Sequence, residues 1–103
     1  MQKREKNLCR KVLAYLNSLD SAFFFKVHGG MYQRSGLPDI IGCHNGQCYG
    51  IELKVGSNKT TELQMRTLDQ MYEAGVIVGV CYTLEHVKEL IEEQKHETLG
   101  NER

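Results

Sequence analysis

The segment Gly36-Leu37-Pro38-Asp39-Ile40-Ile41-Gly42-Cys43-His44-Asn45-Gly46-Gln47-Cys48-Tyr49-Gly50-Ile51-Glu52-Leu53-Lys54-Val55 decides the fold. At its middle, Asn45-Gly46 suits a type I′ turn, in which both central residues take positive φ. A turn there makes Asp39–His44 one strand of a hairpin and Gln47–Val55 the other. The second strand alternates, with Tyr49, Ile51, Leu53 and Val55 on one side and Cys48, Gly50, Glu52 and Lys54 on the other. Pairing about the turn sets position 39 opposite position 52. Asp39 and Glu52 become cross-strand neighbours with Cβ atoms ~4.5–5.5 Å apart, and Lys54 projects to the same side as Glu52. Pro38 fixes φ just ahead of the strand and helps place Asp39 at its first position.

Upstream, residues 3–19 have a helical period, with Leu8, Val12, Tyr15, Leu16 and Leu19 inward and Lys and Arg outward. Asp20-Ser21 breaks this helix. Ala22–His28 is rich in aromatics and Val and predicts a strand, and Gly29-Gly30 opens a loop running to Pro38. Downstream, Gly56-Ser57-Asn58-Lys59 is a loop and Thr61-Glu62-Leu63-Gln64 has the capping-box pattern of a helix start. That helix runs to about Glu73, where Gly75 ends it. Val76–Tyr82 is nearly continuously apolar, as expected of a strand buried on both faces. Thr83 caps a last helix carrying Leu84, Val87, Leu90 and Ile91; from Gln94 on, the polar chain is expected to fray. The order α-β-β-β-α-β-α predicts a single α/β domain over residues 1–103, with a mixed sheet and helices packed on it. No repeats, low-complexity tracts or linkers interrupt it.

With 103 residues, 41% of them hydrophobic and 25% charged, the chain has the make-up of an ordinary globular domain with one modest core. No apolar run nears the ~20 residues that span a bilayer, and the N-terminus lacks an apolar signal core. An intracellular protein with no membrane partner is expected. The formal net charge is zero, yet residues 1–66 carry ten Lys+Arg against five Asp+Glu, and residues 67–103 carry three against eight. One part of the chain can attract phosphate while the other keeps it soluble, although solvated helix faces produce such clustering too. The cysteines Cys9, Cys43, Cys48 and Cys81 form no C-x-x-C pair. Cys43 and Cys48, beside His44, face each other across the turn, but tetrahedral zinc needs four ligands. A reduced, half-buried pair is the expectation.

Two carboxylates as close as Asp39 and Glu52 repel unless a charge offsets them. Their oxygens select a hard divalent ion, Mg²⁺ or Mn²⁺, and such an ion with a neighbouring ammonium is suited to phosphodiester hydrolysis. Lys54 can orient the nucleophile, take its proton or neutralise charge on the phosphate. Glu-x-Lys alone, or Pro-Asp alone, is a weak signal. Joined across an Asn-Gly hairpin, they bring three charged groups to one sheet face. In the loop after Gly29, Arg34 is able to pair with a phosphate, Ser35 to donate to one, and Tyr32 to stack on a base. Lys26 and His28 fall near the site if their strand adjoins that of Asp39. No zinc finger or basic zipper is present, so DNA shape is a more natural target than a base sequence.

Pro38-Asp39 and Glu52-Leu53-Lys54 resemble the motif of the PD-(D/E)xK nuclease superfamily. The run Tyr32-Gln33-Arg34-Ser35-Gly36-Leu37-Pro38-Asp39-Ile40-Ile41-Gly42, then Gly50-Ile51-Glu52-Leu53-Lys54, then Thr60/Thr61 to Gln64, is similar to the VRR-NUC family of virus-type replication–repair nucleases. The likeness extends from the first helix to the last strand. It implies a restriction-endonuclease-like α-β-β-β-α-β core and a Mg²⁺- or Mn²⁺-dependent DNA endonuclease with no small-molecule cofactor. Small stand-alone members of this kind are typical of phages and bacteria. The expected enzyme is selective for junction- or flap-like structures, acts in DNA repair or on Holliday junctions, and forms a homodimer. The resemblance makes Asp39, Glu52 and the carbonyl of Leu53 metal ligands and Lys54 catalytic. It asks for an acid on the first helix, where Glu5 is the sole candidate, and gives Gln64 an active-site role. Gln64 cannot both cap its helix and face a metal-bound water, and the resemblance favours the site. The alternative function is a non-catalytic DNA-binding module that keeps the nuclease fold.

Overall fold

The computed structural model describes residues 2–29 and 34–101. Its elements are α1 (Lys3–Leu16), β1 (Ala22–Lys26), β2 (Ile40–His44), β3 (Gln47–Leu53), α2 (Glu62–Glu73), β4 (Ile77–Cys81) and α3 (Leu84–Asn101), in the order α-β-β-β-α-β-α. The four strands form one mixed sheet in the order β1-β2-β3-β4. β2 and β3 make the expected hairpin: Asn45 and Gly46 have φ of 51° and 81°, as a type I′ turn requires, and Ile40 pairs with Ile51. One step further, the same register sets Asp39 opposite Glu52.

The apolar rows of the hairpin build the core. Ile40, Tyr49, Ile51 and Leu53 are buried with Phe24, and they pack in one cluster with Cys9, Val12 and Leu16 of α1, Cys81 of β4 and Val87 and Ile91 of α3. Across this layer Lys88 of α3 lies over the Tyr15 ring of α1, 5.5 Å from its centroid. α2 packs on the other face, with the methyl of Met71 seated over Gly50. Thr61 and Gln64 form the full capping box at its start, and the Thr83 hydroxyl accepts from the His86 N–H, 3.1 Å away, at the start of α3.

Three expectations are corrected. α1 ends at Leu16, not at Leu19, because Asn17 is used elsewhere: its side-chain amide donates to the Phe24 carbonyl (3.1 Å) and accepts from the Phe24 N–H (2.9 Å). β4 is the edge strand of the sheet, so Ile77–Val80 are only partly buried and Cys81 alone is fully so. Cys43 and Cys48 are joined by a disulfide, neither reduced nor available to zinc. They are paired directly in the β2–β3 register, and their Cα atoms are 3.9 Å apart, the close approach of a non-hydrogen-bonded antiparallel pair.

The Asn17 contact also protects the sheet. Ser21 and Val27 exchange backbone bonds with the β2 side, so by alternation the N–H and C=O of Phe24 point outward along the open edge of β1. An edge with free backbone groups invites pairing with another chain, and Asn17 occupies both. Asn17→Ala is expected to lower unfolding free energy by about 1–2 kcal/mol in urea titrations. It should also produce concentration-dependent association by light scattering.

Candidate active site

Asp39 sits at the mouth of the hairpin and is held from two sides. Its backbone carbonyl accepts from the Val27 N–H at 2.8 Å, and its carboxylate Oδ2 accepts from the Leu53 N–H at 2.7 Å. Glu52 lies beside it, 2% exposed. Its Oε2 is 3.2 Å from the Lys54 ammonium, while its Oε1 is buried with no hydrogen-bond partner. The Lys54 ammonium thus pairs with Glu52, beside the second carboxylate of Asp39. Burial, and after it the charge of Asp39, push the Glu52 carboxyl up to about 7, against the opposing pull of Lys54.

A buried carboxylate oxygen with no donor is costly and is itself a sign of a missing electropositive partner. The donor set around it is all oxygen, which suits a hard divalent cation. Among the described residues no group of three or more His, Cys, Asp or Glu side chains stands close enough to hold a metal ion, so the acid pair is not completed by a third side chain.

Asp39 also lines a cavity of about 500 Å³. Its wall includes Glu5 of α1, Lys26 of β1, and Arg34, Ser35 and the Gly36–Pro38 segment. Glu5 therefore faces the cavity that Asp39 faces, without closing on the acid pair as a third carboxylate. Cys9, one turn after Glu5, confirms the direction of that helix face: its thiol is raised mainly by burial, with Lys26 lowering it and Asp39 raising it through their charges. The Lys26 ammonium is 3.5 Å from the Val27 carbonyl. Arg34, exposed, hydrogen-bonds the Gln70 side chain on α2. His28 is exposed and does not line the cavity, and Tyr32 lies outside the described residues.

Gln64 is engaged in the helix cap. Its Oε1 accepts from the Thr61 N–H at 2.9 Å and its own N–H donates to the Thr61 hydroxyl at 3.1 Å. The cap holds the side chain, and Gln64 is not on the cavity wall. The Val27 N–H that holds the Asp39 carbonyl is marked by no sequence pattern.

The motif loop is set against α2 through Gly36, whose φ is +84°. A Cβ there would come within 2.8 Å of the Leu63 Cγ and 2.9 Å of the Thr67 hydroxyl. Gly36→Ala therefore combines left-handed strain with a clash and is expected to cost about 1–3 kcal/mol of stability, measured by chemical denaturation.

This is the architecture of a restriction-endonuclease-like fold. Among solved structures, one described as a VRR_NUC domain superposes with a TM-score of 0.73 at 22% identity, covering 88% of this chain and 97% of that one. The Holliday junction resolvase Hjc of Archaeoglobus fulgidus superposes with a TM-score of 0.60 at 17% identity, covering 76% of this chain and 67% of that one. No protein-family model matches the sequence, and no curated protein matches it either. No helix among the described residues is long and apolar enough to cross a membrane.

The raised Glu52 value has a consequence for stability. An unfolded Glu ionises near 4.5 and the folded Glu52 at about 7, so folding favours the protonated form. That contribution is full below pH 4.5 and is lost as pH rises through 7. Metal-free protein is expected to be less stable at pH 8 than at pH 5 by an amount on the order of 3 kcal/mol from this group. Glu52→Gln should flatten that part of the profile in urea titrations run in EDTA.

Proposed function

We propose that the chain is a metal-dependent nuclease of the VRR-NUC kind, hydrolysing phosphodiester bonds in DNA and selecting DNA by structure. The observation that carries this reading is the buried Glu52, with one oxygen unpartnered, beside Asp39 and bonded to Lys54. A purely structural ion pair has no use for a second carboxylate and an orphaned oxygen. Likeness to a fold that includes a Holliday junction resolvase supports DNA as the substrate.

Asp39 and Glu52 would hold the ion, Mg²⁺ or Mn²⁺, with the Leu53 carbonyl. When bound, such an ion neutralises phosphate charge and acidifies a coordinated water. Glu5 faces the same cavity and is suited to hold a water of that ion in place. Lys54, with its side chain 14% exposed, presents an ammonium at the edge of the buried pair, where it stabilises negative charge growing on a phosphate. Lys26, Arg34 and Ser35 around the cavity bind the flanking backbone, and His28 and Tyr32 are further candidates for that contact. Gln64 keeps its capping role. A homodimer would set two such sites against two strands.

The test is a panel of duplex, single-strand, flap, splayed-arm and four-way-junction DNA with Mn²⁺. Cleavage of the branched substrates is expected, abolished by EDTA and reduced at least 100-fold in Asp39→Ala, Glu52→Ala and Lys54→Ala. Full activity in any of the three sinks the assignment. Binding without cleavage, across all metals and substrates, would make the chain a DNA-binding module instead.

A further inference from the structure

The phenyl rings of Phe23 and Phe25 have no role in the core or in the acid pair. Phe23 is 73% exposed and Phe25 47%, while Phe24 between them is buried. Exposed apolar groups in a cluster mark contact surfaces. Phe25 pairs with Ile41 and Phe23 with Cys43. Ile41 is two residues from Asp39, and side chains two apart share a face. The rings therefore stand on the sheet face that carries Asp39 and Glu52, in a row leading away from them.

The spacing of that row is informative. Two residues advance ~6.6–6.8 Å along a strand, and the ring centroids are 6.1 Å apart. This is roughly twice the 3.4 Å rise per base of a stacked strand, the pitch of an extended strand whose bases are unstacked. α2 leaves this part of the face open, since it packs against β4. Beyond Glu52, no carboxylate is present in β1, β2 or β3, so little repels a phosphate chain there.

We infer that Phe23 and Phe25 form a stacking platform for unpaired bases in a single-stranded segment adjoining the scissile phosphate. The inference rests on the nuclease reading and specifies what that site selects: DNA with a single-stranded arm next to the cut. Every base has a π-face, so such a platform tolerates any sequence.

The experiment uses the full chain in EDTA with an oligo(dT) bearing one 2-aminopurine. Stacking on the rings is expected to change the probe's fluorescence. Phe23→Ala and Phe25→Ala should each weaken binding about 5- to 100-fold, while Phe23→Tyr and Phe25→Tyr retain it. Both side chains are exposed, and matched circular dichroism and urea midpoints show that the variants fold. With Mn²⁺, the Ala variants should raise KM on splayed-arm DNA and leave cleavage of full duplex unchanged. Unaltered affinity and probe signal in the Ala variants would overturn the platform. So would a shift from dimer to monomer in sedimentation with the signal unchanged, which would make the rings a contact between two copies. A wild type that cleaves nothing yet binds through both rings supports the platform and sinks only the nuclease reading. A wild type that cleaves junctions but gives no ring-dependent signal sinks the platform alone.

Discussion

A carboxylate buried out of water beside a second one is an unfavourable arrangement, and much of this small domain serves to maintain it. Desolvation and mutual repulsion both act to separate Asp39 from Glu52. Against them stand the Leu53 N–H on the Asp39 carboxylate, the Val27 N–H on its carbonyl and the Lys54 ammonium on Glu52. None of these would suffice if the strands were free to slide. The register is fixed by the opposite face of the same hairpin, where Ile40, Ile51 and Leu53 are fully buried. A slip of one residue would turn those side chains to water and bring the charges into the core. The apolar face supplies the stability, and the polar face carries the unfavourable pair of acids.

Most of this geometry was legible because it follows from the hairpin alone. Asn45-Gly46 names the turn, the turn names the register, and the register sets position 39 against position 52. No long-range information enters that chain of inference. The resemblance to VRR-NUC nucleases added Glu5, and the structure turns Glu5 to the cavity of Asp39.

Other parts were less legible. Gln64 had two chemically reasonable uses, and its side chain is engaged in the cap with Thr61, three residues away. The end of α1 was misplaced because Asn17 has its partner on β1, seven residues later, where helix periodicity carries no signal. Val76–Tyr82 reads as a doubly buried strand, yet an edge position leaves Ile77–Val80 half covered; hydropathy reports the faces of a strand and not its neighbours. Exposure of Phe23 and Phe25 was hidden for the same reason. Whether a sheet face is covered depends on where α2 falls, and α2 falls toward β4.

The uneven charge along the chain gains meaning once the elements are placed. Every residue of the candidate site lies within residues 1–66, where Lys and Arg outnumber Asp and Glu two to one. The acids of the second part include Glu85, Glu89, Glu92 and Glu93 on α3, which packs against α1 and β4 on the core side of the sheet. The acid pair and the two exposed phenyl rings stand on the opposite side. The basic side chains are gathered on α1, with Lys3, Arg4, Lys6, Arg10 and Lys11, which shares the core side of the sheet with α3. Over the other face, α2 carries Glu62, Asp69 and Glu73 against Arg66. A net charge of zero therefore conceals a separation of charge between neighbouring helices, α1 basic and α3 acidic, and not one between the two faces of the sheet.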